Sequence, residues 1–350
     1  MTKGHGEIGV AFLGVGRMGE THLRNLTAIS GVRVKVVADP NLEAAERGRE
    51  LSGADRAIVS TEEAILDPGV DAVIIVTPTD THAQLIETAV LAGKAVFSEK
   101  PIALDLAETK RVVDLIQQKD AKVQLGFMRR FDPGYAEAKK RIDQGELGRI
   151  ETFRALSRDT YPPPLKFLLQ SGGLFLDMAV HDLDLARFLV GEVEEVSTWG
   201  TVLIDDRFAQ AQDSDTAVVM LKFKNGALGV VETSRRSKWG YDIRTEVAGA
   251  DAKVVIEAPQ KTPMVVSREF GGRYDHYENF PDRFEAAYRM EMQAFFDALK
   301  TGRKPSPGAE DALETLRLAI AVTRSWKENR PVKVSEIQAQ GVGPCPGGTN

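Results

Sequence analysis

The sequence predicts an α/β protein of two domains, a doubly wound parallel sheet followed by an α+β domain with an open, mainly antiparallel sheet. Three observations carry that expectation. Up to about residue 127, short apolar runs alternate with amphipathic helical stretches. A glycine-rich turn joins the first apolar run to the first helix. Beyond it the strands alternate apolar and polar residues, as strands with one covered face do. The expected division is 1–127 and 128–338, with a Pro/Gly-rich tail over 339–350.

In chain order, "IGVAFLGV" (8–15), "VKVVADP" (34–40), "DAVIIVTP" (71–78), "AVFSEKP" (95–101) and "KVQLGF" (122–127) read as buried strands, rich in Val and Ile on both faces. Helical patterns such as "DTHAQLIETAVLAG" (80–93) and "LAETKRVVDLIQQKD" (106–120) separate them. The second domain should contain the helix "GGLFLDMAVHDLDLARFLVG" (172–191), then one-sided strands such as "DTAVVMLKF" and "ALGVVETSRR". The helices "DRFEAAYRMEMQAFFDALKTG" (282–302) and "GAEDALETLRLAIAVTRSWKEN" (308–329) close the fold.

Composition removes several classes of function. Over 350 residues the net charge is −6 and no Lys/Arg cluster forms a basic footprint, which argues against a nucleic-acid partner. No stretch approaches the ~20 apolar residues of a membrane span, and "MTKGHGEIGV" lacks a signal-peptide core, so a cytoplasmic location is expected. The single cysteine, Cys345, lies in the tail and allows no internal disulfide.

"GVGRMG" is the first chemical motif. Gly14 makes the tight turn, Gly16 lets backbone approach a pyrophosphate, and Gly19 lets helix pack on strand; Arg17 and Met18 open the helix between them. Asp39 ends the next strand 20 residues past Gly19, placed to accept the ribose hydroxyls of NAD and repel the extra phosphate of NADP. The competing reading makes Asp39 a helix cap. "SEKP" (98–101) follows another strand, so Glu99 and Lys100 belong at the carboxyl edge of the sheet, where ligands of open α/β sheets bind. A surface ion pair is the alternative. Thr77, Thr79 and His82 in "TPTDTH" are further candidates for the nicotinamide side.

Asp177, His181 and Asp184 recur at i, i+4 and i+7, one face of an ideal helix. If the second domain covers the cofactor crevice, His181 becomes a general base for a hydroxyl proton, Asp177 orients it or binds substrate, and Lys100 holds the developing oxyanion. A buried core histidine with capping carboxylates competes, as does a metal site from the same three residues. The other histidines (5, 22, 82 and 276) form no ligand-spaced pair with one another, and no metal is expected.

"GVGRMG", "SEKP", "GFMRRFD" (126–132), "SRDTYPPP" (157–164), "SGGLFLDMAVHDLDLARFL" and "SKWGYD" (237–242) together resemble the Gfo/Idh/MocA oxidoreductase family over nearly the whole chain, and within it the inositol 2-dehydrogenases. The resemblance implies a Rossmann domain, NAD as cofactor, a polyol substrate, and a homotetramer formed through the open sheet. It places the catalytic residues at Lys100, Asp177 and His181, and substrate contacts at Arg129, Asp159, Asp184 and Tyr241. Position 159 is Asp where some inositol dehydrogenases carry Asn, leaving the stereoisomer open. Read without the resemblance, Arg129 could be a strand-end ion pair and Tyr241 a half-buried sheet aromatic. An aldose or other sugar is the rival substrate class. A non-catalytic NAD-binding sensor is the rival function.

Overall fold

The computed structural model describes residues 7–339; Cys345, His5 and all but the first residue of the 339–350 tail lie outside the described residues. Two compact units result. The first takes residues up to 126 together with 291–317 and the stretch from 337; the second takes 127–290 and 318–336. The later part of the chain does not stay with the second unit: residues 291–317 return to the first.

Six parallel strands form the sheet of the first unit: β1 (Ile8–Leu13), β2 (Val32–Ala38), β3 (Arg56–Ile58), β4 (Ala72–Ile75), β5 (Ala95–Ser98) and β6 (Val123–Leu125). Their order, β3-β2-β1-β4-β5-β6, is that of a dinucleotide-binding Rossmann sheet. β4 is buried along its whole length, as a strand covered by helices on both faces must be. Five helices follow strands β1 to β5 in turn: α1 (Arg17–Thr27), α2 (Leu42–Ser52), α3 (Thr61–Leu66), α4 (Thr79–Leu91) and α5 (Leu106–Gln118). Three of them start on a side-chain cap, Asn41 for α2, Ser60 for α3 and Asp105 for α5.

The core under this sheet explains the return of the chain. Val10, Phe12, Leu23, Ile74 and Phe97 pack with Met292, Phe295 and Phe296, all fully buried and all from the helix Glu285–Thr301. Phe97 meets Phe295 edge-to-face at 6.0 Å. That helix shows apolar residues at helical spacing, which announces a buried face but not which sheet buries it.

The second unit contains a seven-stranded sheet with the order β12-β11-β7-β10-β9-β8-β15, comprising β7 (Ile150–Arg158), β8 (Val193–Thr201), β9 (Thr216–Phe223), β10 (Leu228–Ser234), β11 (Asp242–Gly249), β12 (Lys253–Ile256) and β15 (Val332–Lys333). Only β7 and β10 pair in parallel. A small exposed hairpin, β13 (Val266–Arg268) and β14 (Gly271–Arg273), stands apart from it. β9 alternates buried and exposed residues throughout. One face carries Phe223, Leu221 and Val219 inward; the other leaves Trp199, Val218 and Met220 exposed, with Trp199 directly opposite Val218 across the β8–β9 ladder. Among the described residues no helix is long and apolar enough to cross a membrane.

Candidate active site

In the first unit the three glycines of "GVGRMG" sit in three different environments. Gly14 has φ +93°, and a Cβ there would lie 2.6 Å from the Val76 carbonyl. A Cβ on Gly19 would lie 2.2 Å from the Gly14 carbonyl, so α1 approaches β1 as only glycine allows. Gly16 caps α1 with extended backbone, and a Cβ there meets nothing within 4 Å. Its open space lies at the N-terminus of an eleven-residue helix, where a pyrophosphate is stabilised by amide donors and the helix dipole. The residues fit the dinucleotide.

Asp39 follows β2, and its carboxylate already works for the protein. Oδ2 accepts from the Val15 amide (2.8 Å) and Oδ1 from the Asn41 amide (2.9 Å). Each oxygen retains a lone pair for a ribose hydroxyl. The cap of α2 is Asn41, which accepts from Glu43 N, so the cap reading of Asp39 passes to its neighbour.

Glu99 and Lys100 follow β5 at the carboxyl edge of the sheet. Glu99 is hydrogen-bonded to the buried His22, Nε2 to Oε1 2.8 Å. Burial pushes the Glu99 carboxyl up, but the His22 hydrogen bond and the neighbouring charges of His22 and Lys100 outweigh it and hold the group below the usual range. His82 is only 1% exposed, with Nδ1 2.7 Å from the Pro101 carbonyl and Nε2 2.8 Å from that of Thr77. Both ring nitrogens are engaged by backbone, so His82 braces the "TPTDTH" and "SEKP" turns against each other. Thr77 meets Thr81 through their hydroxyls, and Thr79 is the first residue of α4.

In the second unit the helix bearing His181 does not run as one regular element. Phe175–Ala179 forms a π-turn that contains Asp177, and the α-helix Val180–Leu189 follows. The wider turn lies between Asp177 and the regular helix, while His181 and Asp184 share that helix three residues apart. Asp177 and His181 are partly buried, whereas Asp184 is 1% exposed and takes Arg130 on both oxygens, at 2.8 and 2.6 Å. Asp184 is therefore occupied as a buried anchor of the segment Met128–Phe131.

The sequence does not announce Arg235, at the end of β10. It is 4% exposed and bridges two carboxylates, donating to Asp159 (2.9 Å) and Asp177 (2.7 Å). Burial pushes the Asp159 carboxyl up, and the Arg235 charge and hydrogen bond only partly restrain it. Arg129 is equally buried and donates to Asp182 (2.7 Å) and Ser157 (3.2 Å), so the ion-pair reading of Arg129 describes it, with a partner one residue past His181. Tyr241 is 9% exposed and edge-on to Phe284, and burial raises its phenol above the usual range. This unit thus brings Asp159 and Asp177 together on Arg235 and seats Asp184 on Arg130.

Comparison with known proteins agrees with both halves. Residues 8–127 match a family model described as "Oxidoreductase family, NAD-binding Rossmann fold", and 139–334 match "Oxidoreductase family, C-terminal alpha/beta domain". The chain is 38% identical to the myo-inositol 2-dehydrogenase of Thermotoga maritima, covering 94% of this chain and 99% of that protein. It is also 38% identical to the scyllo-inositol 2-dehydrogenase (NAD(+)) of Bacillus subtilis, with 95% and 98% covered. The crystal structure of scyllo-inositol dehydrogenase from Lactobacillus casei with bound NAD(H) and scyllo-inositol superposes with a TM-score of 0.88 at 32% identity, covering 94% of this chain and 99% of that one. With the glycine turn, the strand order and both family models in agreement, the chain belongs to the Gfo/Idh/MocA family of NAD-dependent oxidoreductases.

Proposed function

We propose that the protein is an inositol 2-dehydrogenase that oxidises one ring secondary alcohol, of myo- or scyllo-inositol, to the ketone. The observation that carries this is the pair of partly exposed carboxylates, Asp159 and Asp177, held by one buried arginine, Arg235. A polyol needs several fixed acceptors for its hydroxyls, and two carboxylates pinned by Arg235 supply them without rotamer freedom. The names of the relatives support the inositol ring over other polyols.

NAD, when bound on the glycine turn of the first unit, supplies the hydride acceptor. The chain's own residues do the rest. His181 takes the hydroxyl proton as the carbon loses hydride, Lys100 holds the oxygen as it becomes a carbonyl, and Asp177 fixes the hydroxyl or the imidazole. Asp159 and Tyr241 fit the remaining hydroxyls. Asp39 favours NAD over NADP by accepting ribose hydroxyls and repelling a 2′-phosphate.

The exposed apolar face of β8 and β9, bearing Trp199, Val218 and Met220, supports assembly with further copies of the chain as a homotetramer. Met220→Glu should reduce the mass seen by light scattering; an unchanged mass excludes this face.

The direct test is initial rates of NADH formation with myo-inositol, scyllo-inositol, D-chiro-inositol, glucose and xylose, each with NAD and NADP. Turnover of an inositol with NAD is expected, and Lys100→Met and His181→Ala should abolish it while NAD affinity stays near normal. Activity on an aldose alone would move the substrate to sugars. NAD binding with no turnover of any of them would favour a sensor.

A further inference from the structure

Behind Lys100 lies a group that the oxidation chemistry above does not use. Glu291, in the helix Glu285–Thr301, is 0% exposed, and neither carboxylate oxygen has a hydrogen-bond partner. One of its oxygens, one oxygen of Glu99 and a ring nitrogen of His22 lie within 4.8 Å of one another. This is a different set from Asp177, His181 and Asp184, where the sequence placed the question of a metal.

Around Glu99 the geometry is tight. His22 Nε2 lies 2.8 Å from Oε1, and Oε2 accepts the backbone amide of Lys100 at 3.3 Å. With the carboxylate as acceptor, Nε2 of His22 is the protonated nitrogen. A Cβ on Gly126 would come 2.9 Å from Oε2, so a glycine is needed where the carboxylate sits. On the other side of Lys100, His82 holds the Pro101 carbonyl. Two buried imidazoles thus fix the residues flanking Lys100, one of them through Glu99.

A buried, unpartnered carboxylate beside a second carboxylate is the costly arrangement that proteins relieve by protonating one of the pair. We propose that Glu291 is a neutral carboxylic acid that donates a hydrogen bond to Glu99, directly or across one water, and that Glu291, Glu99 and His22 together are a positioning device for Lys100. Two oxygens at this separation are spanned by a single water making ordinary hydrogen bonds to both. Burial first, and the Glu99 charge second, push the Glu291 carboxyl well above its ordinary value, while Glu99 goes the other way. The titratable and charged groups facing Glu99 are His22 on α1, His82 on α4 and Lys100 itself. From β6, the Gln124 amide donates to the Glu291 backbone carbonyl and anchors the helix turn. The positioning half of the proposal depends on Lys100 acting on the substrate oxygen.

The test uses the full-length enzyme and two readouts. At neutral pH the infrared difference spectrum of wild type minus Glu291→Gln should contain the C=O band of a protonated carboxyl; its absence overturns the proposal. This readout does not involve turnover and stands even if Lys100→Met proves active, a result that would instead remove the proposed role of Lys100. In kinetics, Glu291→Ala should lower kcat by about tenfold with the Kd for NAD within about twofold, and Glu291→Gln, a neutral donor of the same shape, should restore kcat. Loss of NAD affinity in parallel with kcat, or a Gln variant as impaired as Ala, overturns the positioning role. Stoichiometric metal in the purified enzyme, released by chelator with loss of stability, would make the cluster a cation site and overturn the acid.

Discussion

Replacing Arg235 by Met removes the only cation hydrogen-bonded to both Asp159 and Asp177 among the described residues and leaves their carboxylates in a setting built for charge pairing. The guanidinium is 4% exposed and the partners 23% and 21%, so water replaces little of what is lost. Breaking a buried pair from one side costs about 3–5 kcal/mol, and Met restores the volume but not the charge. The loss should depend on pH in a defined sense. Without Arg235 the folded-state pKa of Asp159, already raised by burial, rises further above the unfolded value. A raised folded pKa contributes stability that is fully present below the unfolded pKa and disappears as pH rises through the folded one. The deficit of Arg235→Met against wild type should therefore be largest at alkaline pH and shrink on acidification, where the Asp159 carboxyl becomes neutral. Chemical unfolding at several pH values reads this, and kcat/KM should fall by at least about 100-fold because Asp177 loses its fixed orientation. A variant within about 1 kcal/mol of wild type at pH 8 would refute the reasoning, since a buried pair cannot lose one member so lightly.

The glycine turn offers a contrast within one motif. Gly16→Ala has room for its Cβ and should fold with stability within about 0.5 kcal/mol of wild type while weakening NAD binding, read by calorimetry. Gly19→Ala meets the Gly14 carbonyl and should unfold at markedly lower temperature. Asp39→Ala should narrow the NAD over NADP preference and also lower Tm, because the Val15 and Asn41 amides lose their acceptor. Glu291, with its folded-state pKa raised, should favour the folded state at low pH and cost stability as pH rises through that value. Glu291→Gln removes this dependence, so its Tm should gain on wild type at alkaline pH.

The parts of the fold legible in sequence are those where one residue type has one physical use. Three glycines at fixed spacing, flanked by an apolar run and a helix, specify the turn: Gly14 and Gly19 lie against backbone carbonyls, and Gly16 leaves open space at the helix N-terminus. β3, by contrast, has three residues and no buried position, and Arg56 in it pairs with Glu63 and Asp67, so no apolar pattern marks it. The period of 3.6 that links Asp177 to His181 presumes α geometry, and the π-turn at Phe175–Ala179 departs from it, whereas His181 and Asp184 share the regular helix Val180–Leu189. Arg235 stayed hidden because pairing is a property of tertiary contact: "SRR" at a strand end says that a cation is present, not that two distant aspartates converge on it. The same holds for Glu291, whose neighbours come from 192 and 269 residues earlier in the chain, at Glu99 and His22.

The way Met292, Phe295 and Phe296 complete the core beneath β1, β4 and β5 bears on how the protein can be divided. A gene fragment ending at residue 127 would encode every strand of the nucleotide-binding sheet yet leave Phe97 and Ile74 facing solvent. Expressed alone it should be recovered insoluble. Supplied in trans with a polypeptide carrying residues 285–317, it should become soluble and bind NAD, making the enzyme a candidate for split-protein complementation with a break after residue 127.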